Sequence, residues 1–230
     1  MEQGDVISHP QMCLEEGTSL QRGMNFRARG KVSVILMSLR RGAPYADRIE
    51  NEGRILIYEG HDIARRKAGS DPKSVDQPSA YPSGKPTENG FFHQAALDFK
   101  QRKRPPELVK VYEKLKPGIW VFNGIFKLVD AWTEVSNARK VFKFKLELLD
   151  SVGEKSRWEN ADLDHSRLIP SSVKLEVWKR DKGRCVKCGC KDNLHFDHII
   201  PYSKGGSSLV AENIQLLCAR HNLAKRANIE

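Results

Sequence analysis

The chain has 230 residues, of which 30% are charged and 39% are apolar, as is usual for globular proteins. This length predicts one or two domains and is enough to bury a core without the help of disulfides. The longest stretch without a charge has ten residues, 117–126, about half of what a membrane-spanning helix requires.

The charge balance predicts a polyanionic partner. The chain has 39 Lys and Arg against 29 Asp and Glu, a net charge of +10, and such an excess favours binding to nucleic acid. Its first ten residues lack the basic start and the apolar run of a secretion signal. Four of the five cysteines lie between Cys185 and Cys218, a clustering that favours metal binding in a reducing compartment over a disulfide framework. We therefore expect a cytoplasmic protein.

Residues 1–90 contain two strand-like runs between irregular segments. Residues 1–30 have little apolar periodicity, and we expect them to form a loosely ordered lead-in. The apolar, β-branched runs 32–38 and 54–60 predict short strands. Residues 68–90 are rich in Pro, Ser and Gly and predict a loop.

Residues 91–149 contain both helical and strand patterns. The run FFHQAALDFKQ (91–101) has apolar residues at helical spacing and predicts a helix, and ELVKVYEKL (107–115) predicts a second, shorter one. The runs 119–132 and 140–149 predict strands, and the second of them alternates apolar with charged residues. The first 150 residues are therefore predicted to form a sheet with one or two helices packed on it.

A change of composition divides the chain. Residues 151–170 are polar and nearly aperiodic, and they predict a linker between a domain at 1–150 and a domain at 171–230. The second domain begins with a short helical pattern (SSVKLEVWKRD), continues with a strand-like run (LHFDHII) and a double-glycine turn, and ends in a helix.

Two pairs of residues in this second domain have the spacing of a structural zinc site. They are Cys185-x-x-Cys188 and Cys218-x-x-His221, and three cysteines with one histidine are an accepted zinc set. In the alternative assignment, His221 binds a catalytic ion and Cys190 completes the zinc site.

The residues between and after these pairs carry a second motif. The string DHIIPYSKGG, followed by EN-x-Q-x-LC-x-x-HN-x-x-K, resembles the HNH nucleases of the ββα-metal fold over about the last 60 residues. The resemblance implies metal-dependent hydrolysis of phosphodiester bonds, with His198 as the general base. It also implies that Asp197 and Asn222 bind Mg²⁺ or Mn²⁺ and that Asn213 braces the loop that carries His198. For His195 we expect a structural role rather than a ligand role.

The N-terminal half shows a partial resemblance to another family. Tyr58-Glu59-Gly60, then FNGIFKLVDAW (122–132), then FKFKL (142–146) are similar in order and spacing to the SRA domain, also called YDG. That family has a PUA-type β-barrel with packed helices and binds modified cytosine in DNA by flipping the base. The resemblance implies that Tyr45 and Tyr58 sandwich the base and that Asp47 reads its polar edge. Glu59 stands where the family has a small or hydroxyl residue, which leaves the preferred modification open.

Together the motifs predict an α+β protein in which an SRA-like domain is joined to a zinc-stapled HNH domain. Such a protein resembles the modification-dependent restriction endonucleases, which cleave double-stranded DNA that carries 5-methylcytosine or a related base. We expect it to act in a prokaryotic cell as a defence against invading DNA, either alone or as a homodimer. Two alternatives stay open: an HNH nicking or homing enzyme that reads ordinary sequence, and a reader of modified DNA that does not cut.

Overall fold

A computed structural model describes residues 1–30, 32–64, 71–149, 168–201 and 204–225. The strands in these segments are β1 (Val6–Ser8), β2 (Met24–Asn25), β3 (Ser33–Met37), β4 (Arg48–Glu50), β5 (Ile55–Glu59), β6 (Glu107–Lys116), β7 (Ile119–Ser136), β8 (Arg139–Leu148), β9 (Leu194–His198) and β10 (Ile214–Cys218). The helices are α1 (His9–Glu15), α2 (Glu88–Lys100), α3 (Ser171–Arg180) and α4 (Ala219–Lys225). This mixture confirms the predicted α+β class. None of these four helices is long and apolar enough to cross a bilayer.

Eight strands form one sheet in the N-terminal unit, which we define as residues 1–149. The strand order is β2-β3-β6-β7-β8-β5-β4, and β1 pairs with β7. The pair β3–β6 is parallel and the other pairs are antiparallel. The alternation in β8 buries Phe144 and Leu146 against Phe92 and Ala96 of α2. The strands and the helix predicted in these regions are confirmed.

The segment 107–115, predicted as a second helix, is instead strand β6. It lies inside the sheet between β3 and β7. Val109 and Val111 are buried on one side, with the more accessible Lys110 between them. The helix prediction was wrong because Lys and Glu at this spacing also suit a helix, and only pairing on both edges of β6 decides between the two structures.

The first 30 residues are not a loosely ordered lead-in. They contain β1, α1 and β2, and Met12 and Met24 have no exposed surface. Ser8 caps α1 in a capping box with Gln11. The expectation was wrong because the buried residues of this segment are irregularly spaced and contact strands far away in the sequence.

The C-terminal unit, defined as residues 168–225, contains the predicted ββα arrangement. β9 and β10 form an antiparallel pair, and α4 follows β10 directly. α3 packs Val173 and Val177 into the same apolar cluster as Phe196 and Leu216. Of the predicted linker 151–170, only residues 168–170 lie within the described part of the chain.

The two units share an apolar cluster. Leu115 and Val121 of the large sheet belong to the same cluster as Val177, Phe196 and Ile214. The segment before β1 contacts both units, because Gly4 N donates to Phe122 O (2.9 Å) while Gly4 O accepts from Phe196 N (3.1 Å). The C-terminal unit is therefore packed directly against the sheet.

Candidate functional site

The four predicted zinc ligands lie together. The ligand atoms of Cys185, Cys188, Cys218 and His221 are all within 4.8 Å of one another. His221 Nδ1 is 3.3 Å from Cys185 Sγ and 3.4 Å from Cys218 Sγ, and the Sγ atoms of Cys188 and Cys218 are 3.9 Å apart. Ligands at normal zinc bond lengths in a tetrahedron lie about 3.5–3.8 Å apart. The cluster can therefore hold a metal ion.

The electrostatics at Cys185 suit a thiolate ligand. Burial raises the pKa of this thiol, but backbone N–H groups of the surrounding turns and the His221 side chain outweigh burial and lower the pKa to about 6. Cys190, the alternative ligand, is not one of the four clustered residues, whereas His221 is.

The predicted general base lies at the end of β9. His198 Nε2 is 2.8 Å from Ser208 Oγ, which orients the ring. Burial lowers the pKa of His198 below its ordinary value, and Lys225 lowers it further, while Asp197 opposes both. The imidazole is therefore neutral at physiological pH and can accept a proton.

Asn213 holds the two ends of the loop that follows His198. Its Oδ1 accepts from Ile200 N (2.8 Å), and its Nδ2 donates to Ile200 O and Ser207 O (both 3.0 Å). A Cβ at Gly206 would lie 1.8 Å from Ile200 O, so only glycine allows this close approach. The geometry is what the predicted bracing role of Asn213 requires.

The two predicted ligands of the catalytic ion border two different cavities in the described part of the chain. Asp197 and His198 line a cavity of about 560 Å³, and Asn222 lines a neighbouring depression of about 540 Å³. His195 borders both, and its Nδ1 is 2.9 Å from Asp5 Oδ1 in the N-terminal unit. This contact fits the structural role expected for His195, and binding of one ion by Asp197 and Asn222 stays a prediction.

A third cavity, of about 820 Å³, lies in the N-terminal unit and is lined by Tyr45, Asp47 and Tyr58. The structure thus brings all three predicted base-binding residues to one recess. Four basic residues also line it: Arg22, Arg40, Arg41 and Lys114. The basic segment 65–67 lies outside the described residues, and the basic residues 102–104 are exposed after α2.

The acid in this cavity has an unusual proton affinity. Burial raises the pKa of Asp47 to about 7, although its carboxylate accepts hydrogen bonds from the backbone N–H of Glu59 and of Ser38. An uncharged carboxyl group has both a donor and an acceptor. It therefore complements the N3 acceptor and the N4 amino donor on the Watson–Crick edge of cytosine.

A family comparison agrees with the resemblance of the C-terminal unit. Residues 185–227 match the family model described as HNH endonuclease. The C-terminal unit is therefore similar to HNH endonucleases. No curated protein matches the chain.

Among solved structures, the chain is similar to SRA domains. One is the SUVH5 SRA domain with fully methylated CG DNA, at 22% identity and a TM-score of 0.44, covering 65% of this chain and 90% of that one. The same domain with hemimethylated CG DNA has 21% identity and a TM-score of 0.45, with coverages of 69% and 94%. The same domain with fully hydroxymethylated CG DNA has 21% identity and a TM-score of 0.45, covering 69% of this chain and 95% of that one.

In the HNH-like unit, sequence reasoning missed Lys225. Its Nζ donates to Asp197 Oδ2 at 2.6 Å and to the backbone oxygen of His198, and its side chain is 1% exposed. The signal was present, because Lys225 follows Asn222 by one helical turn in the HN-x-x-K string. The ammonium fixes the Asp197 carboxylate beside His198, the predicted general base.

In the N-terminal unit, Glu59 does not line the cavity of Tyr45, Asp47 and Tyr58. Tyr58 borders the cavity, and Glu59, the next residue on β5, pairs with Lys143 at 2.9 Å on the other side of the strand. Glu59 also accepts from Ala46 N (3.2 Å), and Lys143 donates to Ala46 O (3.3 Å). This buried pair holds the loop that carries Tyr45 and Asp47.

Proposed function

We propose that the protein is a modification-dependent endonuclease that captures a flipped 5-methylcytosine, or a related modified cytosine, and cleaves the DNA that carries it. The observation that carries this proposal is the cavity lined by Tyr45, Tyr58 and Asp47 in the same chain as the HNH-like site. Extrusion of a base costs a few kcal/mol, and ring stacking with edge hydrogen bonds offsets this cost.

The charge around the cavity supports double-stranded DNA as the partner. Arg22, Arg40 and Arg41 border the recess, where they can neutralise the phosphates that flank an extruded nucleotide. Such contacts provide affinity without sequence preference, so the choice of target falls to the cavity.

In the proposed reaction, His198 removes a proton from the attacking water. Ser208 orients its ring, and Asn213 holds the loop that follows it. A divalent ion such as Mg²⁺ or Mn²⁺, held by Asp197 and Asn222, would neutralise the charge on the phosphate and the leaving oxygen. Zinc held by the Cys₃His cluster would have a structural role only.

The biological setting is part of the proposal. Cleavage that depends on modified cytosine would restrict invading DNA in a prokaryotic cytoplasm. One HNH-like site cuts one strand, so a double-strand break would require a homodimer or two successive cuts.

The test uses two duplexes that differ only in one 5-methylcytosine, incubated with the protein and Mg²⁺ or Mn²⁺. We expect cleavage of the modified duplex alone, and Tyr45→Ala should lose about 10–100-fold of the affinity for it while binding to the unmodified duplex stays unchanged. Equal cleavage of both duplexes would contradict the proposal in favour of a nicking or homing enzyme. Selective binding without cleavage would indicate a reader that does not cut.

A further inference from the structure

A side chain of the protein itself fills the space between the two cavity tyrosines. The imidazole of His61 stacks on Tyr45, with ring centroids 5.1 Å apart and planes inclined by 12°. Its Nε2 is 3.0 Å from the Tyr58 hydroxyl. His61 thus contacts both rings between which a flipped base would bind.

A second side chain also contacts the ring of Tyr45. Lys73 Nζ lies 4.1 Å from the ring centroid. This ammonium is fixed by two further contacts, to Pro44 O (2.5 Å) and to Asp62 (2.9 Å). A base can stack on the face of Tyr45 that His61 covers only after the imidazole moves. His61 lines the cavity, whereas Lys73 is not among its lining residues.

The backbone of His61 is held independently of its ring. Asn89, which is buried, accepts from His61 N and donates to His61 O, both at 2.8 Å. Burial lowers the pKa of His61 to about 4, so the ring is uncharged and leaves without breaking an ion pair. A Cβ at Gly23 would lie 2.6 Å from Nε2 and 2.7 Å from the Tyr58 hydroxyl. The glycine at position 23 therefore makes room for the closed arrangement.

We propose that His61 competes with the flipped base: its ring closes the cavity, and a flipped base binds only by displacing it from Tyr45 and Tyr58. This inference rests on the proposed function. Because the ring must first be displaced, the protein binds DNA less tightly whenever a base enters the cavity. DNA bound only through its phosphates does not displace the ring. A base is held only when its own contacts in the cavity outweigh those of His61.

The test measures binding of His61→Ala to the 5-methylcytosine duplex and to its unmodified twin at one salt concentration. Removal of a stacked ring should tighten binding to the modified duplex by about two- to tenfold. Binding to the unmodified duplex should not change, because that complex involves phosphates alone. His93→Ala is the matched control: His93 also packs on an aromatic ring, Phe142 at 5.5 Å, but does not line the cavity.

Unchanged or weaker binding of His61→Ala to the modified duplex would overturn the inference, since the ring would then be part of the core or of the base-binding surface. A wild-type protein without preference for the modified duplex would instead overturn the proposed function. His61→Gln removes the ring but keeps a polar group near Tyr58. If thermal unfolding shows that His61→Ala does not fold, the same two binding measurements are made with His61→Gln.

Discussion

Lys174 Nζ lies 2.7 Å from Glu113 Oε2, and each of these side chains is only 2% exposed. Lys174 belongs to α3 of the C-terminal unit and Glu113 to β6 of the large sheet. Lys174 also donates to Asn123 Oδ1 (2.7 Å), and Ser171 donates to Glu113. A buried ion pair, with hydrogen-bond partners for both side chains, therefore fixes the C-terminal unit on the sheet.

The first prediction concerns the stability of this junction. Lys174→Met leaves the Glu113 carboxylate buried without its cation, and we expect the free energy of unfolding to fall by about 3–5 kcal/mol. Denaturant unfolding at pH 7 measures this loss. Lys179→Met removes an exposed lysine from the same helix and should change stability by less than about 0.5 kcal/mol. A Lys174→Met protein with the wild-type unfolding midpoint would show that the pair is accessible to solvent.

The pH dependence of stability should change with the same substitution. Burial raises the pKa of Glu113, but Lys174 and the hydrogen bonds of Ser171 and Asn123 lower it below its ordinary value of 4.5. The wild-type pair therefore stabilises the fold above about pH 4.5 and loses this effect as the pH falls further. Without Lys174, burial raises the pKa of Glu113. The Lys174→Met protein should therefore become more stable as the pH falls from 7 towards 4.5.

The second prediction is that the Cys/His cluster holds zinc and that the metal stabilises the C-terminal unit. Metal analysis of purified protein should give about one zinc per chain. Cys188→Ala should lose the metal and unfold this unit. Cys13→Ala is the control, because Cys13 is on α1 and outside the cluster. A folded, metal-free Cys188→Ala protein would contradict the assignment.

How far the sequence predicts this structure depends on the distance over which its residues interact. The two ligand-spaced pairs of the Cys/His cluster and the loop held by Asn213 were predictable because both depend on short spacings and on turns that need glycine. The Lys174–Glu113 pair joins residues 61 positions apart, and the Asp5–His195 pair joins residues 190 positions apart. No local pattern marks such pairs. The position of the His61 ring between the two tyrosines also depends on Asn89 and Gly23, and these residues contact His61 only in the folded protein.

The third prediction concerns catalysis. His198→Ala should lower the rate of cleavage by about 10²–10⁴-fold, because a general base contributes about this much. DNA binding should persist, since the base acts on water. Ser208→Ala, which removes only the partner of the ring, should cause a smaller loss. Single-turnover cleavage at saturating protein measures the rate of the chemical step separately from DNA binding. A near-wild-type rate for His198→Ala would exclude the proposed mechanism.

The last prediction is that Asp47 reads the base in its uncharged form. The pKa of about 7, raised by burial, means that the neutral acid predominates at pH 6 and the carboxylate at pH 8. The preference for the 5-methylcytosine duplex over its unmodified twin should therefore fall by about tenfold from pH 6 to pH 8. Asp47→Asn has a donor and an acceptor at every pH, so it should keep the preference at both values. Because burial disfavours the carboxylate, the wild-type protein should also lose stability as the pH rises from about 4 to about 7, and Asp47→Asn should lack this loss. Binding titrations at the two pH values give the answer: if Asp47→Asn binds the modified duplex as weakly as Asp47→Ala at pH 6, the carboxylate is the form that reads the base.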